Sequence, residues 1–112
     1  KKRRVANSYA YCSDTRFKKS IIKKIEGVDV LYHDSTFLKK HYAIANKTGH
    51  TTAYEAGIIA RDSNVKLLVL GHFSRRYTNL DLLKIEAQKK FSNVILARNG
   101  LQINFKEQVS SN

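Results

Sequence analysis

The sequence predicts an α/β protein built on a largely parallel sheet. Short apolar runs alternate with stretches of helical period along most of the chain. Recognisable stops and caps, such as Gly27 and the Thr52/Glu55 pair, separate the two kinds of segment. The 112 residues, 42% of them hydrophobic, suffice for one domain with one core. Strands alternating with helices imply helices layered on parallel strands.

The elements follow in order. "SYAYCS" (8–13) reads as a strand that holds Cys12 as a small buried residue. Residues 15–27 read as a helix, with Phe17, Ile21, Ile22 and Ile25 on one side and Gly27 as the stop. "VDVLYH" (28–33) is a second strand, and 36–46 a short helix. Thr52 and Glu55 form a capping box for a helix running to about residue 62. Residues 65–70 make a third strand. Thr78 or Asn79 caps a helix over 80–90, with Leu80, Leu83 and Ala87 as its stripe. Residues 93–98 and 101–105 are short strands around Asn99-Gly100, a hairpin signal. The chain reads as a single partial domain over 1–112, with a flexible basic end at 1–7.

Charge narrows the partners. Twenty-one basic against nine acidic residues leave a net charge of +12. Residues 1–24 alone carry nine Lys/Arg and one acid, Asp14. Such an excess favours nucleic acid through phosphate contacts. No apolar run approaches the roughly 18 to 20 residues of a membrane span, and no apolar signal segment opens the chain. The single cysteine excludes an intramolecular disulfide and fits a cytoplasmic location.

Parallel strands end at one edge of a sheet, where sites in open α/β sheets gather. The first strand ends at Asp14, the second at His33 and Asp34, the third at His72, and His50 precedes a capped helix. Each has a plain structural reading: Asp14 as a helix cap, His33 as a core histidine bonded to backbone, His50 as a helix neighbour, His72 as a turn residue. His41 reads as surface. Together, Asp and His are the usual ligands of hydrolytic zinc and manganese sites, and a carboxylate can bridge two metals. Ser74 and Arg76 can receive phosphate beside them.

"YCSDTR", "LYHDSTF", "TGHTTAYEAGIIA", "LLVLGHFSRRY" and "LARNGLQI" occur in this order. They resemble the C-terminal half of ribonuclease Z, the tRNA 3′-end endonuclease of the metallo-β-lactamase fold, over residues 9 to about 105. The resemblance implies the C-terminal αβ half of an αββα sandwich. It implies Asp14 and His72 as ligands of two divalent metal ions, zinc or alternatively manganese. His50 would donate a proton to the leaving group and Asp34 would orient it, with Ser74 and Arg76 contacting phosphate. The substrate implied is precursor tRNA, and the products are a tRNA with a free 3′-hydroxyl and a trailer with a 5′-phosphate.

The match has departures. Asp34 stands where the family has glutamate, so its direct reach to His50 is in question. Thr51 replaces serine, and Asn99 stands where aspartate is frequent. The family's His-x-His-x-Asp-His cluster and a further histidine ligand are missing from these residues. The isolated chain is therefore expected to bind metal weakly and to cleave nothing. It is also expected to expose an apolar sheet face, covered by a second copy or by the missing half. Two rivals stand beside this reading: another hydrolase of the same fold, and a non-catalytic basic RNA-binding half-domain.

Overall fold

A computed structural model of the chain describes residues 8–13 and 15–97. The sequence expectations for residues 1–7, for Asp14 and for the 99–105 hairpin lie outside the described residues. Four strands form one sheet: β1 (Tyr9–Cys12), β2 (Val30–Asp34), β3 (Leu67–Gly71) and β4 (Val94–Leu96). They lie in chain order and every neighbouring pair is parallel. Three successive parallel crossovers of one hand carry the connections over the same face.

That face is the core. Leu31, Leu68, Leu70 and Val94 of the strands pack against Ala53, Ala56, Ile59 and Ala60 of α2 (Ala53–Ser63) and Leu83 and Ala87 of α3 (Asp81–Gln88). Ala10 and Cys12 of β1 pack against the same cluster, so Cys12 is half-buried as a small core-facing residue. Burial pushes its thiol pKa up. Gly57 lets α2 and α3 meet, because a Cβ there would lie 2.6 Å from the Ala87 carbonyl oxygen.

The opposite face carries Val30, Tyr32, Leu67, Val69 and Ile95. It is less bare than the sequence suggested. Val30, Leu67 and Val69 are buried, and the exposed apolar surface gathers at Tyr9 (65%) and Tyr11 (73%). Tyr11 stacks on Tyr32 at 4.4 Å between ring centroids. The Tyr32 hydroxyl in turn lies where a Cβ on Gly71 would be, 1.9 Å away.

Three of the four helical stretches hold, with shifted bounds and caps, and one does not. Residues 15–27 form no α-helix: a 3-10 turn at Lys19–Ile21 runs into further turns. Lys19 and Lys23 would repel at helical spacing, and the adjacent β-branched Ile21 and Ile22 are weak helix formers. Packing of Phe17, Ile21 and Ile22 on the core fixes the segment without a helix. Gly27 does terminate it, with φ of +78°. The second helical stretch is a 3-10 turn at Lys39–His41 followed by α1 (Tyr42–Thr48). The capping box at Thr52 is complete. For α3 the N-cap is Leu80, while Asn79 Oδ1 accepts the Asp81 amide at 3.1 Å. No helix among the described residues is long and apolar enough to cross a membrane.

Candidate active site

Register delivers the polar residues to one edge. Asp34, the last residue of β2, pairs with Gly71, the last of β3, and His72 follows immediately. His72 turns the chain away with φ of +61°, a left-handed conformation uncommon for non-glycine residues, though less so for asparagine, aspartate and histidine. Gly71, just before it, is small to admit the Tyr32 hydroxyl. His50 arrives from the helix side. Gly49 ends α1 in the left-handed conformation at φ +80°, the His50 amide bonds the Ala45 carbonyl at 2.8 Å, and the Thr52 cap starts α2 two residues on.

The Asp34 carboxylate organises this edge and is fully buried. Its Oδ1 accepts from the Thr36 amide at 3.0 Å and the Thr36 hydroxyl at 2.6 Å. Its Oδ2 accepts from the Thr15 amide at 3.0 Å and His50 Nδ1 at 3.1 Å. The shorter aspartate therefore reaches His50 directly. Thr15 is held in turn, because the Thr51 hydroxyl donates to its carbonyl.

His72 lies beside this centre, its ring 4.9 Å from that of His50. Its Nδ1 is 3.1 Å from the Thr36 hydroxyl and 3.6 Å from Asp34 Oδ2. The longer distance is an ion-pair separation and not a hydrogen bond, so Thr36 is the partner. Ser74 and Arg76 follow on the same loop. The Ser74 amide bonds the Thr36 carbonyl at 3.0 Å, and Ser74 Oγ accepts the Arg76 amide at 3.2 Å. The Arg76 guanidinium sits 5.4 Å from the Phe37 ring, which lies 6.2 Å from the His50 ring.

Asp34, His50 and His72 present ligand atoms within 4.8 Å of one another, close enough for a cation. The donor set assigns them different parts. A carboxylate offers about four acceptor positions, and those of Asp34 are taken by the donors of Thr36, Thr15 and His50. His72, 43% exposed, is the better ligand of the three. A divalent ion at this edge thus fits His72 and does not need Asp34. Asp14, the other ligand expected from the sequence, lies outside the described residues.

Two histidines stand apart. His33 is buried in β2 on the helix side, its Nδ1 donating to the Asp34 carbonyl at 2.9 Å, which is the core role expected of it. Burial lowers its pKa and outweighs the nearby Asp34 carboxylate and carbonyl, which raise it. His41 is half-buried, contrary to its surface reading, with Nδ1 2.5 Å from the Tyr77 hydroxyl. Thr36, Thr15 and Phe37 were not singled out from the sequence. Only Thr36 carried a signal: a hydroxyl two residues past an aspartate is an Asx-turn pattern.

The parallel sheet with helices on one face, in the described residues, has the metallo-β-lactamase fold. The metallo-β-lactamase fold protein YhfI of Bacillus subtilis superposes with a TM-score of 0.78 and 29% identity, over 83% of this chain and 38% of that one. A long-form RNase Z from yeast does so at 0.77 and 25% identity, over 92% and 14%. The sequence relatives are more particular. Proteins named Ribonuclease Z are 54% identical over 89 residues in Azobacteroides pseudotrichonymphae and 50% identical over 95 in Phocaeicola vulgatus. The chain is a relative of ribonuclease Z, and it spans 31% of the length of these curated proteins. No protein-family model matches it.

Proposed function

We propose that this chain is the C-terminal, proton-donating and phosphate-holding part of a metal-dependent endoribonuclease that removes the 3′ trailer from precursor tRNA. The observation that carries the reading is the 3.1 Å contact from His50 Nδ1 to the buried Asp34 carboxylate. A carboxylate so placed holds an imidazole in one orientation. His50 then gives its Nε2 proton to the ribose 3′-oxygen as that phosphorus–oxygen bond breaks and a water oxygen bonds phosphorus, one water proton staying on the new phosphate and the other passing to solvent. The Ser74 hydroxyl keeps its own proton for a phosphate oxygen while accepting the Arg76 amide. Arg76 offers a fork of donors to the same group. Asp14 and His72 are the residues of this chain that would hold two divalent ions, zinc or manganese, which when bound supply the charge that activates water and neutralises the transition state. The net charge of +12 supports a polyanionic substrate.

The reading extends to assembly. The sheet face bearing exposed Tyr9 and Tyr11 would receive a second αβ half-domain or a second copy of this chain. A cytoplasmic setting matches the chemistry of a tRNA-processing enzyme. The test is reconstitution. The chain is co-expressed with a segment carrying the His-x-His-x-Asp-His cluster, and precursor tRNA cleavage is followed. Cleavage should depend on both parts and on a divalent ion. His50→Ala should lower the rate by roughly 10²- to 10⁴-fold, as for loss of a general acid. Unchanged cleavage in His50→Ala would overturn the assignment, and salt-sensitive RNA binding without any cleavage would favour the binding-module rival.

A further inference from the structure

We propose that Thr36 is a positioning residue for His72: its hydroxyl fixes the imidazole in the Nδ1–H tautomer, so that one carboxylate, Asp34, orients both site histidines. Thr36 Oγ1 lies 2.6 Å from Asp34 Oδ1 and 3.1 Å from His72 Nδ1. A hydroxyl has one proton, and an ionised carboxylate only accepts. The Thr36 proton therefore points to Asp34, and toward His72 the same oxygen acts as acceptor. His72 Nδ1 must then donate, which leaves the lone pair on Nε2. A neutral imidazole ligates a metal through such a lone pair, and its other nitrogen usually donates to an outer partner.

Asp34 thus serves the two histidines by different routes. Oδ2 holds His50 directly, and Oδ1 holds His72 through one hydroxyl. Geometry reinforces the second route. Asp34 and Thr36 share an Asx-type turn, with the Thr36 amide also on Oδ1 at 3.0 Å. The Thr36 carbonyl accepts the Ser74 amide at 3.0 Å, which ties the loop after His72 to the same residue. His72 itself has a left-handed backbone, φ +61°.

The inference rests on His72 being a metal ligand, yet it is tested without metal or substrate. Nitrogen-15 spectra of the metal-free 112-residue chain, at a pH where imidazoles are neutral, report which ring nitrogen carries the proton. His72 should show a protonated Nδ1 and an unprotonated Nε2. Thr36→Val, which keeps the shape and removes the hydroxyl, should shift His72 toward a mixture or the Nε2–H form. Thr36→Ser should retain the Nδ1–H form. Urea unfolding of each variant separates a tautomer change from loss of fold. An Nε2–H tautomer in the parent chain would overturn the proposal even if Thr36→Val fails to fold. So would a folded Thr36→Val that keeps the parent spectrum. Neither result bears on whether His50 supports cleavage in the reconstituted enzyme, so the two readings fail separately.

Discussion

An imidazole held neutral inside a core makes folding depend on pH. His33 is fully buried, and burial keeps its pKa below the ordinary value of 6.5. Between those two values the unfolded chain binds the proton and the folded chain does not, so stability rises with pH across that window. The His33 contribution is complete above about pH 6.5 and is lost as the pH falls below it. Urea unfolding at pH 7.5 and at pH 5.5 should show a marked fall for the parent chain. His33→Asn, whose amide can still donate to the Asp34 carbonyl, should show a smaller fall whatever its absolute stability. An identical fall in both chains would locate the pH dependence elsewhere. The strand carrying His33 was readable from its apolar run, and so was the bonded core histidine. Thr36 was not, because its role depends on which two acceptors flank one hydroxyl, and only the folded register decides that.

At the scale of elements, the contact between α2 and α3 turns on one missing methyl. A Cβ at Gly57 would meet the Ala87 carbonyl oxygen at 2.6 Å and Lys90 Cβ at 3.2 Å. Gly57→Ala gains up to about 1 kcal/mol of helix propensity and loses about 1–3 kcal/mol to overpacking. The obstructing atom is backbone, and Ala87 is itself fully buried, so retreat is blocked. Repulsion should win, and chemical denaturation should find the variant less stable by about 1–2 kcal/mol. A more stable variant would show that α3 can slide. The capping box of α2 was legible because Thr52 and Glu55 bond each other locally. The stretch 15–27 was misread because its apolar side chains pack on the core in helical order without a helical backbone.

The described residues form one four-stranded parallel sheet with helices on one face, in a chain of strong positive charge. Its parallel order was legible from alternation, since same-handed crossovers leave few arrangements. The state of the second sheet face was not, because burial of Val30, Leu67 and Val69 depends on what lies over them and leaves no mark in local pattern. The charge of +12 makes a prediction of its own. Binding of single-stranded RNA should weaken linearly on a log–log scale with salt, by about 0.7 per phosphate engaged. Fluorescence anisotropy across a salt series would read that slope, and a flat line would rule out counterion release as the source of affinity.

The left-handed histidine also bears on how such a sequence can change over time. A non-glycine residue held at φ of +61° costs roughly 1–3 kcal/mol against a residue suited to that conformation. Glycine or asparagine would sit there more easily, and neither carries an imidazole. A lineage released from the chemistry and filtered for folding alone would drift toward those residues at position 72. Position 72 is thus where relaxed selection on the imidazole would first become visible, ahead of the well-bonded Asp34.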